Sequence, residues 1–197
     1  MRGFNFKKSV QALCYFAEKS GGTLNKMKAI KLIWLSDRLH LRKYGRSITG
    51  DEYYALPNGP VPSATRDILE SSVFLDDSAS DYATEYLTEI DKYNFKNLIL
   101  PNLKVFSETD INVLDKVFDT FGDLDHFQLS DFSHLFPEWK KHESALKKRL
   151  SSRFTINTED FFIDINEKSG LFVDSDENLQ LTKQIFQEYS KFTTHLS

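Results

Sequence analysis

The chain has 197 residues, of which 40% are hydrophobic and 27% are charged, and its formal net charge is −4. This composition is typical of a folded globular domain with one core and excludes a chain that is disordered throughout. The negative net charge argues against a protein that coats nucleic acid, because that affinity comes from an excess of lysine and arginine.

The only cysteine, Cys14, shares an apolar helical row with Val10, Leu13 and Ala17. A lone cysteine forms no internal disulfide, and its apolar neighbours predict a buried thiol rather than a nucleophile. No stretch has the length and apolar character of a signal peptide or a membrane span. We therefore expect a cytoplasmic protein without a membrane partner.

The first half of the chain predicts two long helices. Residues 6–19 form an amphipathic segment that ends at a glycine pair, where the backbone can enter the left-handed region. A second helix is predicted to begin near Thr23, and it is apolar on more than one side, which is typical of a central helix. The segment 45–63 reads as a glycine- and proline-rich loop without regular structure, followed by a short helix.

The second half predicts further helices and little sheet. Segments 82–90 and 92–100 alternate aromatic or β-branched residues with charged ones, which favours two short strands. Ser107 and Asp110 have the spacing of a capping box at the start of a helix. A further helix is predicted to open at Pro137 and to carry four residues on one face: Trp139, His142, Leu146 and Leu150.

The C-terminal part is ambiguous until its last helix. Residues 158–175 fit either a capped helix or a hairpin, whereas the following segment predicts a helix with an apolar stripe formed by Leu181, Ile185, Tyr189 and Phe192. The predicted fold class is mainly α: a compact multi-helix domain with a small β element and a C-terminal helical extension. We expect the domain to cover residues 1–153 and the extension, residues 154–197, to pack on it.

Asp37 stands out because its helical neighbours, among them Ile30, Ile33 and Leu41, are apolar. An unpaired ionised carboxylate in that setting would cost on the order of several kcal/mol. The nearest donors in sequence are the side chains and amides of Arg38, Arg42, Thr49, Gly50 and Asp51. The sequence therefore predicts that Asp37 is a buried anchor that pins the Thr-Gly-Asp turn to the central helix.

The rest of the turn segment suggests a presented surface. Tyr53 and Tyr54 point to opposite sides of an extended chain, so that one packs inward and the other is available to a partner. The Asn-Gly-Pro sequence at 58–60 is better explained as a chain reversal than as an anion site on a helix start.

Two Asp–His pairs have the one-turn spacing that suits metal binding or acid–base chemistry: Asp37 with His40, and Asp131 with His134. Neither comes with the denser histidine or cysteine spacing of zinc sites, and no nucleophile elbow, phosphate loop or dinucleotide fingerprint is present. We therefore predict no metal, no cofactor and no enzymatic activity, with an acid–base role for these residues as the alternative. The basic run around Lys147 favours a solvated helix end over DNA binding.

The motifs in KLIWLSDRLHLRKYGRSITGDEYYALPNGPVPS, SETDINVLDKVFDTFG and LSDFSHLFPEW together resemble the Panacea domain family, the SocA-like antitoxins, which are related to phage-associated proteins of the GepA type. The resemblance covers roughly residues 6–150. It rests on these features: Leu35 with Asp37, the turn Ile48 to Asp51, Tyr53 with Ala55, Gly59 to Val61, and His134 followed by Trp139.

The resemblance implies a mostly helical antitoxin that binds a cognate toxin encoded by an adjacent gene and, in some members, presents it to a protease. The alternative functions are a phage-derived host-interaction protein and a DNA-binding regulator, although nucleic acid is not the expected partner. Together with the turn analysis, the resemblance nominates these positions for partner binding or loop anchoring: Trp34, Asp37, Thr49, Gly50, Asp51, Tyr53, Tyr54, Gly59, Pro60, Val61, His134 and Trp139.

Overall fold

The computed structural model describes residues 3–165 and 167–194. The described α-helices are α1 (Phe6–Lys19), α2 (Lys26–Tyr44), α3 (Ser63–Leu69), α4 (Asp77–Tyr86), α5 (Glu108–Phe121), α6 (His126–Ser133), α7 (Pro137–Lys140), α8 (Glu143–Lys147) and α9 (Asp176–Thr194). The described strands are β1 (Thr23–Asn25), β2 (Tyr53–Leu56), β3 (Gly59–Pro62), β4 (Leu87–Glu89), β5 (Asn94–Asn97) and β6 (Phe154–Thr155). The predicted fold class, mainly α with a small β element and a C-terminal helix, is confirmed.

Helix α2 lies at the centre of the molecule and packs against α1, α5, α6 and α9. All residues from Ala29 to Arg42 are buried, which agrees with a sequence that is apolar on more than one side. The helix begins at Lys26 rather than near Thr23, because the Asn25 side chain accepts a hydrogen bond from the Lys28 amide and caps the helix. The preceding residues form strand β1.

The two sheets are small and antiparallel, with strand orders β1-β5-β4 and β3-β2-β6. The two strands predicted in segments 82–90 and 92–100 are present as β4 and β5, while the start of the first segment belongs to α4. The prediction that segment 45–63 lacks regular structure was wrong, since β2 and β3 form a hairpin there. Pro60 and Pro62 are tolerated because β3 is an edge strand.

The helices of the second half agree with the sequence patterns only in part. Helix α5 has the predicted capping box between Ser107 and Asp110. The helix expected to continue from Pro137 is instead two short helices, α7 and α8, and Leu150 beyond them is 72% exposed. The backbone turns away at Arg149, whose φ is +54°, a left-handed conformation that ends a helix.

Residues 158–165 and 167–175 form neither a full helix nor a hairpin: a 3₁₀ turn at Thr158–Phe162 leads into irregular chain. In α9, Leu181 of the predicted stripe is 57% exposed, Ile185 is half-buried beside Gly45, and Phe186, which the stripe did not include, is buried. The side chains of Tyr189 and Phe192 lie outside the described part of the structure. Strand β6 and α9 both contact the first part of the chain, at β2 and α2 respectively.

Gly59 at the hairpin turn allows the packing of the hairpin against α2 to be tested. Gly59 has a φ of +100°, and a Cβ atom there would lie 2.1 Å from the Ser133 side-chain oxygen and 2.6 Å from Lys31 Nζ. Gly21 has a φ of +85° but open space around it. We expect Gly21→Ala to lower the free energy of unfolding by about 1–2 kcal/mol through backbone strain alone. Gly59→Ala should lose a further 1–3 kcal/mol or so through overpacking.

Urea unfolding of the two variants and the wild type measures this difference. Equal losses in the two variants would contradict the packing described for Gly59.

Candidate functional site

The Asp37 carboxylate on α2 accepts four hydrogen bonds from the segment that follows the helix. The backbone amides of Ile48 and Thr49 donate to Oδ1 at 2.7 and 2.9 Å. The hydroxyls of Thr49 and Tyr53 donate to Oδ2 at 2.5 and 3.0 Å. Asp37 therefore holds both the turn and the first residue of β2.

Asp37 is completely buried, and burial raises its pKa because the charged form loses its hydration, while the four donors act in the opposite direction. Thr49 Oγ1 itself accepts from the Asp51 amide at 3.3 Å, so its own proton is directed to Asp37. A carboxylate that faces four donors is suited to the acceptor-only ionised state.

The donors differ in part from those expected. The Gly50 amide donates to the Ser47 hydroxyl, and the Asp51 amide donates to Thr49, so neither reaches Asp37. Arg38 and Arg42 point away from it as well. Of the predicted donors, Thr49 does reach Asp37, through both its amide and its hydroxyl, whereas the second backbone amide comes from Ile48, just before the predicted residues.

Asp51 forms a second buried carboxylate centre that continues from the first. Its oxygens accept hydrogen bonds from the amides of Ala64 and Thr65 at 2.9 and 2.8 Å and from the Thr65 hydroxyl at 2.7 Å. Burial raises the pKa of Asp51 to about 6. Because these are the first amides of α3, Asp51 fixes the start of that helix, and Thr65 also contacts the Ser9 hydroxyl on α1 at 2.8 Å.

Tyr53 and Tyr54 point to opposite sides of β2, as an extended chain requires. Tyr53 is buried against Phe161, with the ring centroids 5.0 Å apart. Tyr54 is half-buried, donates to Glu52 at 3.2 Å, and lies 4.7 Å beneath the guanidinium of Arg153. Of the two rings, only that of Tyr54 borders solvent, and its contact with a partner stays a prediction.

The other end of the hairpin rests on a buried lysine. Lys31 is 1% exposed, and its ammonium group donates to the Pro60 carbonyl at 2.8 Å. Gly59 is essential to this contact, because any side chain there would meet Lys31 and Ser133. Burial lowers the pKa of Lys31 to about 7. Val61, opposite Tyr54 in the hairpin, belongs to the core.

Trp139 and His134 lie beside the hairpin, while Trp34 belongs to the core. Trp139 donates from its indole nitrogen to the Leu56 carbonyl at 2.7 Å and stacks on His134, with centroids 3.8 Å apart. Trp34 is fully buried against Phe136. Burial and the nearby Lys31 lower the pKa of His134, which favours its neutral form. Trp139, His134 and the hairpin are thus one packed unit.

The sequence analysis missed two buried guanidinium groups on α2. Arg38 pairs with Glu138 at 2.8 Å, with both side chains fully buried, and also donates to the Ile163 carbonyl. Arg42 donates to the Phe161 carbonyl at 2.9 Å and pairs with Asp174 at 3.0 Å. The sequence did contain a signal for them, because both arginines lie on a helix that is apolar on several sides. A buried guanidinium group requires hydrogen-bond acceptors from elsewhere in the chain.

His40 does not face Asp37 but a separate cluster at the start of α5. Its Nε2 lies 3.1 Å from Asp110, which is also paired with Lys8 at 2.5 Å and Arg46 at 2.9 Å. Burial would raise the pKa of Asp110, but the hydrogen bonds from His40, Lys8 and the Ser107 amide hold it far below its usual range. Among residues 3–165 and 167–194, no group of three or more His, Cys, Asp and Glu side chains is arranged to hold a metal ion.

A cavity of about 470 Å³ opens beside the turn and is bounded by residues from α1, α2, the turn and α9, including Tyr44, Ile48 and Ile185. Its cationic groups, Lys8 and Arg46, are already paired with Asp110.

Burial raises the pKa of Cys14 to about 12, so this thiol is not a nucleophile at neutral pH. Within the described chain, no helix combines the length and the apolar character needed to cross a membrane.

The Asp37 anchor predicts a large effect from a small substitution. Asp37→Asn puts an amide, which is partly a donor, in front of four donors. We expect it to lower the free energy of unfolding by about 2–4 kcal/mol. Tyr53→Phe removes one donor and should lose about 1 kcal/mol. Asp81→Asn, at an exposed position, is the control and should stay within about 0.5 kcal/mol of the wild type. Urea unfolding at pH 7 that finds Asp37→Asn as stable as the control would contradict the anchor.

Lys31 predicts a pH dependence of stability. Its folded pKa of about 7 lies below its ordinary value of 10.5. The unfolded chain therefore binds more protons between these values, and stability rises with pH from about 7 upward, by at most about 1.4 kcal/mol per pH unit. Lys31→Met should be more stable at pH 7 and lose this slope, whereas exposed Lys96→Met should keep it. Unfolding series at pH 7, 8 and 9 measure the slopes, and equal slopes for wild type and Lys31→Met would overturn the assignment.

Comparison with known protein families identifies the family of this chain. No curated protein matches the chain, and no solved structure does. The family model described as antitoxin SocA-like, Panacea domain, matches residues 30–140, which is more than half of the chain. The matched region runs from α2 to the last residue of α7 and contains Asp37, its turn, the hairpin and Trp139. The chain belongs to the SocA-like Panacea domain family.

Proposed function

We propose that this protein is the antitoxin of a toxin–antitoxin pair and that it neutralises a cognate toxin, encoded by an adjacent gene, through direct protein contact. The single observation that carries the proposal is the match of residues 30–140 to the SocA-like antitoxin family. A neutralising contact would cover a functional surface of the toxin with an interface of standard size, about 1,600 Å² in total.

The geometry of the titratable groups supports a binding role rather than catalysis. Asp37 and His40 are both fully buried, and each is held by hydrogen bonds to neighbouring protein groups. A general acid or base has to reach the proton that it transfers. His134 is stacked against Trp139. These three side chains serve the packing of the domain.

The nominated residues divide by burial into a scaffold and a small outer part. Asp37, Thr49, Asp51, Tyr53 and Trp139 are buried, so in this proposal they hold the binding surface in shape. Gly50, Tyr54 and His134 are half-buried and are the members of the nominated set that keep some surface open to solvent. The proposal thus assigns anchoring to the inner group.

The test is coexpression in a bacterial host. The product of the adjacent reading frame, induced alone, should arrest growth, and coexpression of this protein should restore growth and yield a complex in size-exclusion chromatography. Asp37→Asn should restore growth less well at raised temperature, because it weakens the scaffold. A neighbouring product that is harmless alone, or that remains toxic when this protein is coexpressed, would overturn the proposal.

The amount of toxin in rescued cells distinguishes the two routes to neutralisation. Direct occlusion leaves the toxin level unchanged, whereas presentation to a protease lowers it. An immunoblot of the toxin with and without the antitoxin reads this difference, and unchanged levels are the result expected here.

A further inference from the structure

The connection between α3 and α4 carries two large apolar side chains that point into solvent. Val73 is 91% exposed and Phe74 is 90% exposed. A single exposed apolar residue is ordinary, but two adjacent ones at the tip of a connection form a protruding feature. We call this pair the 73–74 knob. Aromatic residues are enriched where proteins contact each other.

The knob is held by a defined turn. Ser71 has a φ of +48°, and the Ser72 amide donates to the Asp67 carbonyl at 3.0 Å, which closes the end of α3. The Phe74 amide then donates to the Ser72 hydroxyl at 3.3 Å. A feature that is already ordered loses less conformational entropy when it binds.

The segment that follows the knob carries only acidic charges, and the nearby Lys7 ammonium of α1 lies over the Tyr82 ring of α4, 5.8 Å from its centroid. Between residues 71 and 91 the chain has six carboxylates and no lysine or arginine. Three of them lie four residues apart on α4 and are all exposed: Asp77, Asp81 and Glu85. The ion pairs near this surface use other carboxylates, Glu70 with Arg66 and Glu89 with Lys26. We call the three residues the α4 stripe.

Helix stability accounts for Asp77, which lies in the first turn of α4 where the helix dipole favours a negative charge, but not for the rest of the stripe. Like charges four residues apart repel each other, and no basic residue on α4 offsets them. Glu85 lies in the last turn, where the helix dipole favours a positive charge, and that turn has none. The repulsion that involves Asp81 and Glu85 is therefore a cost to the free protein, which a positively charged surface placed against the stripe would offset.

We propose that the 73–74 knob and the α4 stripe together form the surface that docks the toxin, and that the toxin presents a basic face with an apolar socket that receives Phe74. This inference rests on the proposed function and names the contact surface for it. Charge complementarity selects the partner: lysines or arginines around the socket would face the stripe while the knob is buried.

The buried centres of the domain hold this surface in place. Asp37 fixes the turn, Asp51 caps α3 at its start, and α3 carries the knob at its end. On the other side, Ala79 and Ala83 of α4 are buried, and the Gln11 side chain of α1 donates a hydrogen bond to the Tyr82 hydroxyl at 2.8 Å. The docking surface is thereby attached to the Asp37 anchor on one side and to α1 on the other.

The experiment measures binding of the purified product of the adjacent reading frame by surface plasmon resonance at several salt concentrations. The knob variant combines Val73→Ser with Phe74→Ser, and the stripe variant combines Asp77→Asn, Asp81→Asn and Glu85→Gln. All five positions are exposed, so that both variants should fold as the wild type does, which their melting temperatures check. Matched controls are Phe127→Ser and the triple variant Asp123→Asn, Glu177→Gln, Glu188→Gln, also at exposed positions.

We expect the substitutions of the knob variant to raise the Kd at least about tenfold, mainly through faster dissociation. The stripe variant should slow association and reduce its salt dependence. If the wild type binds and both variants bind with the same affinity as the wild type, or if the controls lose as much affinity as the variants, this surface is refuted. The antitoxin function would then remain intact. Absence of any binding by the wild type would refute the proposed function and this inference with it.

Discussion

The structure depends on one buried carboxylate. Asp37 lies in the middle of the central helix without access to solvent, and no cation contacts it among the described residues. Burial of a carboxylate is tolerated only when hydrogen bonds replace its hydration, and here backbone amides and hydroxyls from a single turn supply all four. The central helix therefore needs the hydrogen-bond donors of the turn, and the Asp37 carboxylate fixes the position of the turn.

The same device is repeated in the next residues of the chain. Asp51 follows the pinned turn and uses its carboxylate to bind the first amides of α3. Both centres are polar, both are buried, and each joins a loop to a helix. Hydrogen-bonded buried polar groups specify one arrangement more strictly than apolar contacts do, because misplacement leaves donors unpaired. The docking surface proposed on α3 and α4 would benefit from such definition.

A second set of buried charges binds the C-terminal segment to α2. Arg38 and Arg42 reach backbone carbonyls at Phe161 and Ile163, beyond the region that the family model matches. A guanidinium group has five donors, so that one side chain can satisfy several acceptors of an irregular chain at once. The family region and the segment after it thus share one core.

The sequence predicted those features that depend on neighbouring residues. The capping box of α5, the ends of α1, the buried Asp37 and the opposite directions of Tyr53 and Tyr54 all follow from local chemistry or from spacing. Features that depend on distant residues were missed. The acceptors of Arg38 and Arg42 lie about a hundred residues or more away, and the hairpin strand β3 contains two prolines that read as a loop until its edge position is known.

Amide hydrogen exchange of the wild type and of Asp37→Asn tests the central claim most directly. If Asp37 holds the turn and the turn holds α3, the substitution should accelerate exchange at Ile48 and Thr49 and also at Ala64 and Thr65, while Val113 of α5 keeps its protection. Unchanged exchange at Ile48 and Thr49 would contradict this account.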